Sequence, residues 1–311
     1  MRIPFAIPAQ ATRAFDIVGL GQNSVDYVAS TSSFPVPNSK ARLERFAILP
    51  GGQVATAMVA CARLGWRTRY VGVFGDDDAG RVGRESLSRE GVDLSAAKTI
   101  RHAVNRSAVI LVDAGSGDRT VLWHADPALR IGDVPAAVAA SGRLLLVDAE
   151  DLAASTACAA AARRAGVPTL VDVDAVQPGL DSLLHQIDAL VVAENVPEAL
   201  TGHAEPGRAL EALTRDYQAA VVCMTLGAEG SLARCDGREI RTPAFQVECV
   251  DTTGSGDVFR AGFASACLRW PEGALEEILK YANAAAALSC RGHGARGALP
   301  TAPDIDRLLA L

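Results

Sequence analysis

Between Arg143 and Met224 short apolar runs alternate with helical stretches, and no other feature restricts the possible folds so far. Leu144–Val147, Thr169–Val173, Ala189–Val192 and Ala220–Met224 have the continuous apolar character of strands covered on both faces. Between them lie an alanine-rich helix ending near Gly166 and an amphipathic helix from Gly207 to Tyr217. Such strands, separated by helices, pack as a parallel sheet with helices on either side. The expected class is therefore α/β with a mostly parallel central sheet.

The first half is less regular. Phe15–Gly21 reads as a buried strand, and Gly19-Leu20-Gly21-Gln22-Asn23-Ser24 is close to a dinucleotide fingerprint. That fingerprint requires a helix next, whereas Val25–Ser30 alternates like a strand, which rules out a Rossmann nucleotide site here. Lys40–Ile48 reads as another short strand, and Pro50-Gly51-Gly52 as the turn into a small-residue helix from Gln53 to Leu64. Arg69–Phe74 reads as a strand leading to a helix that ends at Glu90. Ser107–Val112 and Arg119–Trp123 form a hairpin around Gly115-Ser116-Gly117-Asp118. The expected division is a core of residues 14–26, 50–98 and 125–311, a β-sheet lid of residues 27–49 and 99–124, and a loose leader of residues 1–13.

Composition removes several functions. The 311 residues are 49% hydrophobic and carry a formal net charge of −6 with no run of basic residues, which argues against nucleic acid as a partner. No apolar run reaches membrane-spanning length. The seven cysteines are dispersed, odd in number and never spaced as a C-x-x-C pair, as in a reduced cytoplasmic protein, and the five histidines lack zinc-ligand spacing.

Ligands of open parallel sheets lie beyond the carboxyl ends of the strands, so the turns after Gly19, Val192, Met224 and Cys249 share one rim. There Asp251-Thr252-Thr253-Gly254-Ser255-Gly256-Asp257 precedes an apolar helix. Gly254 and Gly256 allow close backbone approach, and a helix N-terminus attracts an anion such as phosphate. Asp257 would face that anion, or else serve as an ordinary N-cap. Asn195 and Glu198 suit either a hydrated Mg²⁺ or a helix cap. Gly51 and Gly52 suit tight packing or the floor of a polar pocket. Asp26 is either a solvated strand residue or a ligand for substrate hydroxyls. Asp76-Asp77-Asp78 lacks the spacing of a calcium loop and fits a helix start.

From Phe15 to about Pro300 the chain resembles the ribokinase-like (PfkB) carbohydrate kinases. The resemblance rests on Asp251–Asp257, on Gly51-Gly52 through Gly75-Asp76-Asp77 and Gly80, on Asn195-x-x-Glu198, and on Thr225-x-Gly227-x-x-Gly230. It implies ATP-dependent phosphorylation of a sugar hydroxyl. Asp257 would be the general base, and Gly254, Ser255 and Gly256 the anion hole. Asn195 and Glu198 would organise Mg²⁺ through water. Asn195, Thr225, Gly227, Gly230 and Asn283 would lie beside the nucleotide, and Asp26, Gly51, Gly52 and Thr56 beside the sugar under the lid. K⁺ is implied at Asp251, Thr253 and Gly294, although Arg291-Gly292 departs from the family order. Family members pair through their lids, which implies a homodimer. Thr56 stands where many members carry Asn. Ala55-Thr56-Ala57, Asp172-Val173-Asp174 and Pro243-Ala244-Phe245 are similar to the sulfofructose-kinase-like branch; Lys40 and Arg106 are either the groups that meet an anionic sugar or solvated lid charges, and Glu150 would oppose such a sugar if it faces the pocket. The alternatives are a nucleoside kinase of the same superfamily and a catalytically silent sugar sensor; retention of Asp257 and Glu198 disfavours the sensor.

Overall fold

The computed structural model describes residues 1–115 and 119–310. The larger sheet is built from β1 (Ile17–Leu20), β4 (Thr68–Val71), β9 (Leu144–Asp148), β10 (Thr169–Val173), β11 (Ala189–Ala193) and β12 (Val221–Thr225), all parallel. The hairpin β13 (Ser231–Cys235) and β14 (Arg238–Thr242) joins β12 antiparallel, and the order across the sheet is β14-β13-β12-β11-β10-β9-β1-β4. Helices Gln53–Arg63, Ser255–Arg269 and Leu275–Ser289 pack on one face, and Leu152–Arg164, Leu180–Leu184 and Pro206–Tyr217 on the other. Strand residues such as Leu145 and Leu146 are buried between the two apolar layers, which is why these strands lack an alternating pattern. Small residues permit close approach: a Cβ on Gly262 would lie 2.9 Å from Ala282 Cα on the neighbouring helix.

A second sheet sits over the rim, in the order β3 (Arg45–Gly51), β2 (Ser24–Thr31), β7 (Ser107–Asp113), β8 (Arg119–His124). Asp26, Ala108 and Trp123 stand opposite one another on its inner face, and Ile48, Tyr27, Val109 and Leu122 on its outer face. The strand expected over Lys40–Ile48 begins only at Arg45 and runs through Pro50 to Gly51. Proline is tolerated there because β3 is an edge strand. Residues 116–118 of the hairpin turn lie outside the described residues.

Two further expectations are corrected. Arg69–Phe74 is not one strand: β4 ends at Val71, and after Gly72 the chain enters β5 (Val73–Gly75), which pairs with β6 (Lys98–Ile100) in a separate two-stranded sheet. A side chain at Gly72 would meet the Gly21 carbonyl at 2.6 Å, next to the Tyr70 hydroxyl that donates to that same carbonyl. The expected second insert therefore joins the small sheet only from Ser107, while the first contributes from Ser24. The leader is not loose either. Ile3 is buried, Phe5 and Ile7 pack on the core, Arg2 bridges to Ala274, and Arg143 Nε donates to Pro8 O at 2.8 Å. Its apolar residues, irregularly spaced, gave no periodic signal but do have surface to cover.

Candidate active site

Gly254, not Asp257, ends the turn before the Ser255–Arg269 helix. It adopts φ 77°, ψ 1°, and no side chain caps the helix. Only glycine takes this conformation freely, and a Cβ would strike the backbone of the loop opposite, 2.8 Å from Ala295 Cα. Ser255 N–H donates back to Thr252 O at 3.2 Å, while the Gly254 and Gly256 N–H groups, which make no backbone hydrogen bond among the described residues, are left to a ligand. Asp257 lies on that same turn. It is half-buried, and burial raises its pKa well above the ordinary carboxylate range. Asp172 and Asp174 push in the same direction, against Arg260 and Arg296.

Ser255 and Gly256 form one wall of a cavity of about 490 Å³. Thr225, Gly227, Gly230 and Asn283 line it as well, so these nucleotide-side candidates are brought together. Asn283 has a structural duty too: its Nδ2 donates to Ser231 Oγ (3.0 Å) and Thr242 O (3.4 Å), tying its helix to the β13–β14 hairpin. Asn195 and Glu198 lie at the carboxyl end of β11 on the same rim, with exposed side chains, but outside this cavity's lining. Asn195 makes no side-chain cap bond to its helix. Among the described residues no group of three or more His, Cys, Asp and Glu could enclose a metal. Two exposed oxygen ligands still fit Mg²⁺, which retains most of its water.

Asp251, Thr253 and Gly294 also meet. Asp251 Oδ1 accepts from Thr253 N (2.9 Å) and Oδ2 from Gly294 N (2.8 Å). Burial alone would raise the Asp251 pKa, but these N–H groups and Arg119 hold it below the usual value. Arg119 comes from β8: its Nη1 donates to Thr253 Oγ1 at 2.9 Å and lies 3.8 Å from Asp251 Oδ1. A guanidinium thus already stands where K⁺ was expected.

On the acceptor side, Asp26 and Gly51 are neighbours across β2 and β3. A Cβ on Gly51 would lie 2.7 Å from Asp26 Oδ2, and Asp26 Oδ1 accepts from Ser24 Oγ at 3.2 Å. Burial raises the Asp26 pKa despite Arg296 and Arg106. Gly52, at φ 90°, precedes the Gln53–Arg63 helix and would meet the Ser24 amide at 2.7 Å if it bore a Cβ. Thr56 is fully buried, and its hydroxyl accepts from Arg296 Nε at 3.2 Å. Arg296 also donates to Gly51 O (2.8 Å) and Ser86 Oγ (2.9 Å), and burial lowers its pKa to about 10. With Thr rather than Asn at position 56, the side chain is held by a guanidinium that also reaches the Gly51 backbone.

The anionic-sugar candidates fare differently. Lys40 is exposed on the loop between β2 and β3, without a hydrogen bond or ion pair among the described residues. Arg106 lines a cavity of about 350 Å³ with Gln22, Asn23, Trp123 and Glu150, but its charge is answered by Glu150 at 2.7 Å, and it stacks 4.9 Å from the Trp123 ring centre. Glu150 opposes the arginine rather than a ligand. Asp148 was not foreseen as a site element. Its Oδ2 accepts from Gln22 N (2.7 Å) and its Oδ1 from Glu150 N (3.1 Å), joining two rim turns, and burial raises its pKa to about 8.

A parallel sheet whose carboxyl rim carries a helix N-terminus without a side-chain cap, an acid on its first turn and a second sheet above them suits an anionic ligand such as a phosphate. Comparison with known proteins agrees. Residues 14–302 match the family model described as pfkB family carbohydrate kinase, and the chain belongs to that family. It is 29% identical over 290 residues to the ribokinase of Haemophilus influenzae, covering 91% of this chain and 94% of that one. Identity is likewise 29% over 304 residues to a nucleoside kinase of Methanothermobacter thermautotrophicus, covering 95% and 96%. The structure of Arabidopsis thaliana ribokinase complexed with ribose and ATP superposes with a TM-score of 0.86 at 26% identity, over 96% of this chain and 99% of that one. The enzyme class is an ATP-dependent kinase of the ribokinase-like fold. No described helix is long and apolar enough to cross a membrane.

Proposed function

We propose that the protein transfers the γ-phosphoryl group of ATP to a hydroxyl of a sugar or sugar derivative, with Asp257 as general base. The observation that carries this is the Gly254 turn, which caps the helix without a side chain, presents Ser255 and Gly256 to the 490 Å³ cavity and carries Asp257 on the same turn. Asp257 takes the proton of the acceptor hydroxyl, and the N–H groups of Gly254, Ser255 and Gly256 stabilise charge on the transferring group. Asp26, with the Gly51-Gly52 backbone, orients acceptor hydroxyls, and Arg296 fixes Gly51 and Thr56 in place. Asn195 and Glu198 hold Mg²⁺ through its waters, and the ion, when bound, neutralises phosphate charge.

The small sheet acts as a lid. Its outer face leaves Phe46, Ile48, Val109 and Leu122 between 44% and 58% exposed, an apolar surface that supports homodimerisation through the lid. We place the enzyme in the cytoplasm. K⁺ at Asp251, Thr253 and Gly294 would share the site with Arg119.

A nucleoside acceptor is the second reading, favoured by one observation: Trp123 lies on the inner face in line with Asp26, beside the 350 Å³ cavity. A coupled ADP-release assay with Mg·ATP over ribose, fructose, 2-keto-3-deoxygluconate, sulfofructose and nucleosides separates the two. Turnover on a free sugar supports the first reading, turnover on nucleosides alone the second, and ATP binding with no turnover would oppose both.

A further inference from the structure

The acid assigned to proton transfer does not stand alone. Asp172, near the end of β10, and Arg260, one helical turn beyond Asp257, form an ion pair with Oδ1 and Nη2 2.5 Å apart, their side chains only 2% and 4% exposed. Asp257 lies one turn before Arg260 on the same helix, and the charges of Asp172 and Arg260 both act on it. The other arm of the guanidinium packs over the anion hole, since a Cβ on Gly256 would lie 2.7 Å from Arg260 Nη1. The orientation of the pair leaves Asp172 Oδ1 and Arg260 Nε without hydrogen-bond partners among the described residues. Such an incompletely satisfied buried pair is a poor device for stability, because apolar residues of similar size would avoid its desolvation.

We propose that Asp172 and Arg260 are positioning residues for Asp257, one guanidinium holding both the base and the anion-hole turn. The proposal rests on the reading of Asp257 as the base. Two neighbouring buried carboxyl groups do not both ionise readily unless a cation accompanies them. Arg260 supplies that cation from inside the fold, and its packing on Gly256 ties the direction of the carboxylate to that of the N–H groups. The other charged groups facing Asp257 are Asp174, just after β10, and Arg296, from the loop after the Leu275–Ser289 helix; the Cys223 thiol of β12 faces Arg260.

The test is the acid limb of the pH profile of kcat/KM with Mg·ATP and the best acceptor of the panel. Asp172→Asn removes a like charge and leaves Arg260 in place, so the limb should move to lower pH. Adding Arg260→Gln in that background, where Asp257 no longer titrates as part of a carboxyl pair, should move it back up by about one pH unit or more. Arg260→Lys in the same background should return it part of the way. A structural role would lower the rate in every variant without moving the limb, and that result overturns the proposal. Asp172→Asn alone suffices if the double variant does not fold, since its limb must shift downward. Wild-type protein that phosphorylates no acceptor would defeat the kinase reading instead. The pair is then tested by carboxyl ¹³C NMR on aspartate-labelled protein, with the Asp257 signal assigned by its absence in Asp257→Asn: an Asp257 titration unmoved by Asp172→Asn overturns the proposal by itself.

Discussion

Gly254→Ala places the whole site under a defined strain. An L-residue at φ 77° costs about 1–2 kcal/mol. Its Cβ would also lie 2.7 Å from Ala295 Cβ and 2.8 Å from Ala295 Cα, roughly an ångström inside ordinary van der Waals separation. Relieving the overlap adds about 1–3 kcal/mol, as overpacking does elsewhere. The Ala295 loop cannot retreat freely, because Gly294 N is bonded to Asp251 and Arg296 to Gly51, Thr56 and Ser86. The expected loss is therefore about 2–5 kcal/mol in urea unfolding with an unchanged m-value. Displacing the anion hole by this distance should lower kcat on the order of 100-fold in the fraction that remains folded. A variant within about 1 kcal/mol of wild type and within a few-fold in kcat would refute the geometry assigned to this turn.

Three other outcomes are expected. Arg296→Met should raise the acceptor KM about tenfold or more with the ATP KM little changed, because Gly51 and Thr56 lose their tether; steady-state kinetics in both substrates checks this. Arg119→Ala should increase the dependence of the rate on K⁺ over Na⁺, since the guanidinium at Thr253 and Asp251 is removed; unchanged cation dependence would deny it that role. Asp148, whose folded pKa is raised to about 8 by burial, contributes stability that is fully present below the ordinary carboxylate pKa and is lost as pH rises toward 8. Asp148→Asn should therefore flatten the fall in Tm between pH 5 and 8, and an unaltered slope would contradict the assignment.

What could be read from the sequence was local. The β-α alternation after Arg143 fixed the parallel sheet, because doubly covered strands need no partner to announce themselves. The Gly254–Asp257 turn and Gly51-Gly52 were legible because their chemistry lies within a few consecutive residues. Arg296 was not, since its partners Gly51 and Thr56 lie 245 and 240 positions away in an otherwise featureless glycine loop. Arg119 reaches Thr253 across 134 residues: its hairpin is local, but the parallel pairing of β7 with β2 that carries the hairpin into the small sheet is encoded by no local pattern. Arg260 offered one signal, its helical spacing from Asp257, but the strand end supplying Asp172 had to be placed in space first. Lys40, whose charge left open both a ligand contact and a solvated lid residue, lies exposed on the loop between β2 and β3. The break at Gly72 follows from the packing of Tyr70 against Gly21, which neither segment reveals alone.

The central claim is that Asp257 takes the acceptor proton, and Asp257→Asn in the coupled ADP-release assay tests it most directly. Turnover should fall by about 10²–10⁴-fold, the range of general-base catalysis, while calorimetry shows ATP and acceptor binding nearly unchanged. Wild-type turnover in that variant would contradict the account.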